Sequence, residues 1–473
     1  MRVGLTYSDV LLVPKRTPLR SRTEVDLQTR FTKNIILNSP LVSANMATVT
    51  EHKMAIAMAR EGGLGVIHQF STIEEQVEEV KKVKHSTSYV IENPISVSPT
   101  ITIGKAVEIM KKSGVTSLLV MNWEELVGIF TSRDYIFETN MEKYLSEVMT
   151  PKEKLVTAPY GIEREEAKRI LYQHRIEKLP LLQNGKVRGL ITTQDLKKLE
   201  YWPYACRDER GRLRVAAAVG VKDTIERAQA LVDANVDVLV LDLAHAHSDF
   251  AILRLKELKT HFPSVNIMIG NIATADAAHD LIDAGADGLK VGIGPSPVCT
   301  TRIISGAGVP QLTAVMDVVS VARRYDIPVC ADGGMQYPGD VTKALAAGAS
   351  SIFSGSFFAG TDESPGMIIM KDGKRYKRYM GSASYESSHE RRENTEGKKH
   401  KDKLDVFVEG VSTLVDYQGP VESVIRSILK GVQSGLSYCG AHTIKEMQEN
   451  AEFIQITPAG WAESLSRGTK LSE

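Results

Sequence analysis

The stretch from Gly292 to Arg302, GIGPSPVCTTR, places one thiol, Cys299, beside two hydroxyls, Thr300 and Thr301, and a cation, Arg302. A thiolate is a strong nucleophile, and a loop that follows a strand is where an α/β fold exposes one. The largely apolar run Gly288 to Val291 reads as that strand, and the glycines and prolines after it cannot continue it. Most free cysteines are small buried hydrophobes. The flanking glycines, and the way the rest of the chain is built, favour the nucleophile.

The elements that would hold this loop alternate. ILNSPLVSANM from Ile36, HKMAIAMAREGG and LGVIHQ read as strand, helix with a glycine stop, and strand. The pattern returns after residue 213: LRVAAAVGV before a helix from Thr224, then ANVDVLVLDLAHAHS, NIMIGN, AGADGLKVGIG, IPVCADGG, VTKALAAGAS and SIFSGSFFAG. The junction Ala-Gly-Ala-Asp at 284–287 reappears as Ala-Gly-Ala-Ser at 347–350 and Ala-Asn-Val-Asp at 234–237. No GxGxxG opens a helix after the first strand, so a (β/α)8 TIM barrel fits better than a doubly wound sheet. In such a barrel the loops carrying His245, Asn271, Cys299, Asp332 and Gly355 share one face.

Between about Tyr89 and Glu200 the pattern changes and an internal repeat appears. GIFTSRD at 128–134 recurs as GLITTQD at 189–195, KAVEIMKKSG matches EEAKRILYQH, and VSP at 97–99 matches TAP at 157–159. This resembles a tandem pair of CBS domains, about 89–145 and 146–200. The resemblance implies that Thr131 with Asp134, and Thr192 with Asp195, contact the ribose of a regulatory nucleotide such as ATP or GTP. Residues 1–88 and 201–473 then form one interrupted barrel. The run Ser388 to Lys403 is highly charged and nearly free of apolar residues, so it cannot pack a core. Its place predicts a flap at about 382–408 over the active face.

With 473 residues the chain can hold two or three domains. Lys plus Arg and Asp plus Glu are 58 each, so no net charge favours nucleic acid or an anionic membrane. Cys206, Cys299, Cys330 and Cys439 lack metal-site spacing or a disulfide framework. Neither a signal peptide nor a membrane span is expected, and a reducing, cytoplasmic setting is.

LTYSDVLLVPKR, SANMATVTE, GRLRVAAAVGV, VGIGPSPVCTTR, GVPQLTAV, CADGGMQYPGD and FAGTDESPG are similar to the IMP dehydrogenase/GMP reductase family, in order and along the whole chain. The resemblance implies a homotetramer, leaves pairing into octamers open, and implies a purine mononucleotide bound across the loop face. Cys299 would attack purine C2, with hydride passing between C2 and a nicotinamide. It further implies that Thr301 and Glu363 relay a proton, and that Asp332 takes the ribose hydroxyls. Gly334, Gly355 and Ser356 would cradle the 5′-phosphate, and Asn45, Met46, Tyr379, Met380, Gly381 and Glu409 would meet the nucleotide. Asp242, His245 and Asn271 would lie on the nicotinamide side. A potassium ion on the carbonyls of Gly294, Ser296 and Cys299 is a family feature, but Ser296 replaces a glycine there and argues against it.

Other departures bear on which reaction is run. Family dehydrogenases carry an Arg-Tyr pair in the flap that activates water; here the flap reads Arg391-Arg392-Glu393. Asn45, EGVST and the closing PAGW resemble reductases that keep a CBS pair. HQF at 68–70 lacks the lysine of the short reductases, and Pro297 stands where a serine often meets phosphate. The reading that follows is a GMP reductase using NADPH. The alternatives are an IMP dehydrogenase using NAD, or a nucleotide-sensing relative without turnover. A non-catalytic relative is expected to break the set Cys299, Thr301 and Glu363, and all three are present.

Overall fold

Eight short strands close into one parallel barrel: β1 (Leu41–Ser43), β2 (Leu64–Ile67), β3 (Ala216–Val219), β4 (Val238–Asp242), β5 (Asn266–Ile272), β6 (Gly288–Val291), β7 (Val329–Asp332) and β8 (Ser351–Ser354). In this computed structural model, which describes residues 1–86, 90–92, 94–387 and 407–465, β8 pairs back onto β1, with Ile352 beside Leu41 and Ser354 beside Ser43. Each strand is followed by a helix: α1 (His52–Arg60), α2 (Ile73–Ser86), α3 (Thr224–Asp233), α4 (Asp249–His261), α5 (Ala275–Asp283), α6 (Gln311–Ala322), α7 (Pro338–Ala346) and α8 (Val421–Tyr438). This is the (β/α)8 barrel that the alternation predicts.

The strands form because their residues are buried on both faces, which is why they read as continuous apolar runs rather than alternating ones. Val42, Leu64, Val66, Ala216, Ala218, Val238, Val240, Met268, Cys330 and Phe353 fill the interior. Their sequence neighbours, such as Ala217, Leu239, Leu241 and Ile352, are equally buried and alternate with them along the strands. Truncating a residue like Phe353 to Ala would cost about 3–5 kcal/mol. A two-stranded turn, Thr29–Arg30 against Ile36–Leu37, contributes Phe31, Ile35 and Leu37 to the same core. Its Lys33 N–H donates to the Asp287 carbonyl just ahead of β6, so this turn plugs the N-terminal end. The C-terminal strand ends are left to carry the site.

By internal contacts the chain divides into two units. One comprises Met1–Ser86, Tyr204–Asp208 and the described chain from Leu213 onward; the other is Thr87–Pro203 with Glu209–Arg212. The second unit holds two four-stranded sheets, each built on a helix followed by a hairpin. Ile103–Ser113 precedes Ser117–Asn122 and Glu125–Thr131, and Arg164–Gln173 precedes Lys178–Gln183 and Lys186–Thr192. Both hairpins carry a β-bulge, between Val120 and Met121 and between Leu181 and Leu182. These bulges stand at the same offset as the repeated motifs at Gly128 and Gly189, so the repeat is structural as well as sequential. Each half has its own core, and Leu119, Leu126 and Ile129 pack with Leu190 to join the halves.

In the barrel, the two chain ends that flank the insertion are tied together. Lys84 near the end of α2 reaches Asp208 at 3.0 Å and Asp237 at 2.7 Å, all three buried, and Asp237 also accepts the Val215 N–H. Burial pushes the Asp237 carboxyl up, with Lys84 opposing it. Among the described residues no helix is long and apolar enough to cross a membrane.

Candidate active site

The cysteine loop leaves β6 and ends in the short helix Thr301–Ser305. Cys299 is partly exposed, whereas Cys206, Cys330 and Cys439 are buried. Burial pushes the Cys206 and Cys330 thiols up to about 12, so both are inert near neutral pH. Cys299 Sγ lies 3.2 Å from Thr301 Oγ1, and that hydroxyl donates to Glu409 Oε2 at 2.7 Å. Thiol, hydroxyl and carboxylate therefore form one proton path. The Arg302 guanidinium donates to the carbonyls of Ile293 and Val309, bracing the loop.

The expected pairing of Thr301 with Glu363 is corrected here. Glu363 accepts the Val421 N–H at 2.8 Å, at the first residue of α8, where a carboxylate satisfies an orphan backbone donor. Glu409 reaches Thr301 because its segment pairs with the cysteine loop. Thr300 N–H donates to the Glu409 carbonyl at 2.8 Å and Val411 N–H to the Val298 carbonyl at 3.0 Å. Two glycines permit this approach: a Cβ on Gly381 would stand 2.6 Å from the Val298 carbonyl oxygen, and one on Gly410 would stand 2.9 Å from the Ser384 nitrogen.

Beside the loop, the ends of β4, β5 and β7 bring Asp242, Asn271 and Asp332 around Lys290 of β6. The ammonium donates to Asp242 at 2.9 Å, to Asp332 at 3.0 Å and to the Asn271 side-chain oxygen, over the Phe353 ring. Burial pulls the Lys290 pKa down, but Asp242 and Asp332 outweigh it and hold it above the ordinary lysine value. Asn271 also donates to Asp332 at 2.8 Å and to the Gly292 carbonyl at the root of the cysteine loop. Asn45, buried at the end of β1, donates to Asp242 at 2.9 Å. Gln311 ties the Val291 and Asp332 carbonyls together. Sequence reading missed Lys290, Gln311 and Thr48, whose hydroxyl accepts the Met380 N–H. Lys290 had a signal: a cation inside an apolar strand has to be paired.

The remaining predicted positions distribute as follows. Gly355 sits against the Tyr379 hydroxyl and Met46, and Met380 and Gly381 follow Tyr379 in the same buried strand end. Among the described residues the N–H groups of Gly334 and Ser356 have no backbone acceptor, which suits an anion cradle. His245 is not drawn in; it is exposed, edge-on to His247. The Ser296 carbonyl already accepts the Cys299 N–H at 3.0 Å, and Gly294 lies against the Arg302 stem. In the insertion, Thr131 donates to Asp134 at 2.9 Å and Thr192 to Asp195 at 2.5 Å, each pair at a helix N-terminus. Most of the expected flap, including Arg391-Arg392-Glu393 and the charged run 388–403, lies outside the described residues.

Residues 4–467 match the family model for the IMP dehydrogenase / GMP reductase domain. Inosine-5′-monophosphate dehydrogenase of Nitrosopumilus maritimus is 49% identical over 466 residues, covering 98% of this chain and 97% of the relative. That of Aquifex aeolicus is 47% identical over 470 residues, covering 98% and 95%. The chain belongs to the IMP dehydrogenase/GMP reductase family. Among solved structures it is similar to a cysteine-to-alanine variant of Trypanosoma brucei GMP reductase in complex with guanosine 5′-monophosphate. The TM-score is 0.88 at 42% identity, over 99% of both chains. It is also similar to that GMP reductase in complex with guanosine 5′-triphosphate, with a TM-score of 0.77 at 40% identity over 97% and 98%. Family members are oxidoreductases that use nicotinamide cofactors, and purine mononucleotides fit as their substrates. The named relatives divide between inosine-5′-monophosphate dehydrogenases and a GMP reductase.

Proposed function

We propose that the protein is a GMP reductase, converting GMP to IMP and ammonia with NADPH. The observation that carries this reading is the absence of any Arg-Tyr pair between Gly381 and Glu409, where family dehydrogenases keep the pair that activates water. The Arg375-Tyr376 and Arg378-Tyr379 pairs belong to the strand Lys374–Met380, where Arg375 stacks over Tyr417 and Tyr379 is buried. Among the described residues, the path for acid–base work at the thiol runs through Thr301 and Glu409. Such a path can protonate a departing amine.

Cys299 Sγ bonds to purine C2 and ammonia leaves, carrying a proton passed through Thr301 from Glu409. Bound NADPH would supply a hydride to C2 in exchange for the carbon–sulfur bond, and IMP and the Cys299 thiolate would be released. The balance is GMP, NADPH and two protons to IMP, NADP⁺ and ammonium. Asp332 accepts the ribose hydroxyls, the N–H groups of Gly334 and Ser356 hold the phosphate, and Asp242 and Asn271 stand on the nicotinamide side. Thr131, Asp134, Thr192 and Asp195 are assigned to a CBS-like pair that binds ATP or GTP.

The second reading, IMP dehydrogenase with NAD, is favoured by the 49% identity to a dehydrogenase. Absorbance at the nicotinamide band separates them. GMP with NADPH is expected to lose absorbance with stoichiometric IMP and ammonia. XMP formed from IMP and NAD at a comparable or faster rate would overturn the reductase.

A further inference from the structure

We propose that Lys290 is a positioning residue for this reaction: its ammonium orients Asp332 so that one carboxylate oxygen stays open toward the substrate ribose. The proposal rests on the reading that a purine ribonucleotide binds with its ribose at Asp332.

Lys290 is a lysine on a barrel strand with 3% of its side chain exposed. An ammonium has three protons, and here three acceptors take them: Asp242 Oδ1 at 2.9 Å, Asp332 Oδ2 at 3.0 Å and Asn271 Oδ1. The Phe353 ring lies beneath, 4.9 Å from Nζ. The two carboxylates differ in what they have left. Asp242 uses both oxygens, one on Lys290 and the other on Asn45. Asp332 uses only Oδ2, which takes Lys290 and Asn271 together, and Oδ1 accepts nothing from any described residue. A carboxylate anchored through one oxygen by a cation and an amide cannot rotate freely, and its second oxygen keeps a set direction.

Charge makes the same demand. Lys290 pairs with both Asp242 and Asp332 and offsets the repulsion between their like charges.

The test is binding of GMP and 2′-deoxy-GMP to the full chain by calorimetry, without a cofactor, so it does not depend on the direction of catalysis. Wild-type protein is expected to favour the ribonucleotide roughly tenfold or more, the size of a hydrogen bond to a charged group. Lys290→Met is expected to bring that ratio to about twofold or less. Because Lys290→Met leaves two carboxylates facing each other, the double variant Lys290→Met with Asp242→Asn is measured beside it. It keeps the net charge of the group and is expected to lose the ribose preference too. A wild-type ratio in either variant overturns the proposal, since packing or charge balance alone would then account for the lysine. Wild-type protein that binds GMP and IMP without preferring ribose also overturns it. Protein that binds neither nucleotide overturns the functional reading along with it.

Discussion

Thr301 could have been served by either of two glutamates, and chain distance does not choose between them. Glu363 is occupied at the start of α8, whereas Glu409 accepts the Thr301 hydroxyl. Glu409→Gln keeps the shape and removes the titrating group, so turnover is expected to fall on the order of 100-fold with little change in melting temperature. Glu363→Ala is expected to do the reverse, lowering stability by about 1 kcal/mol and leaving turnover within about twofold. Steady-state rates and thermal melts on both variants check the pair, and a dead Glu363→Ala beside an active Glu409→Gln would restore the other assignment. The thiol and its threonine were legible in the sequence because their spacing is local. The glutamate was not, because the partner of Thr301 is set by a contact that spans most of the distance from the cysteine loop to α8.

At the scale of elements, the chemistry depends on a short pairing between the cysteine loop and residues 409–411. Its rungs are two backbone hydrogen bonds, and Gly410 lies where a side chain would push the segments apart. A Cβ there would stand 2.9 Å from the Ser384 nitrogen and 3.2 Å from the Val298 carbonyl oxygen. Gly410→Ala is therefore expected to lower turnover about 10- to 100-fold, because a shift near 1 Å at a reacting group has that effect. Unfolding should cost only about 1–3 kcal/mol; a melt and a rate separate the two. The barrel strands were legible because strands buried on both faces leave unbroken apolar runs, as in Val238 to Leu241. The pairing of Val10–Leu12 with Phe453–Gln455, and of Lys374–Met380 with Ser412–Asp416, was not. Val10–Leu12 and Phe453–Gln455 have only three residues each and are partly exposed, and Lys374–Met380 is rich in lysine and arginine, so none shows that signature.

For the whole molecule, the barrel has a core without the insertion. Lys84 and Asp208 already meet across the junction at 3.0 Å, so the test is a deletion in which a Gly-Ser linker joins Ser86 to Tyr204. That deletion is expected to give a folded protein that turns GMP over within about threefold of the full chain, since the catalytic groups all lie in the barrel unit. ATP or GTP, expected to shift the apparent GMP affinity of the full chain, should have no effect on it. A soluble but inactive deletion would make the insertion part of the catalytic scaffold, and an unchanged nucleotide response would remove it as the sensor. The closure of β8 onto β1 has another consequence, for synthesis. Leu41 leaves the ribosome early, yet its partner Ile352 follows only after most of the chain has been made. At about 5–20 residues per second the first strand waits for tens of seconds with one edge unpaired. The insertion emerges in that interval, and its helix–hairpin halves can bury their own cores from local contacts. The nascent chain thus carries a finished inserted unit before it has a closed barrel, and its early strands keep an unpaired edge until Ile352 arrives.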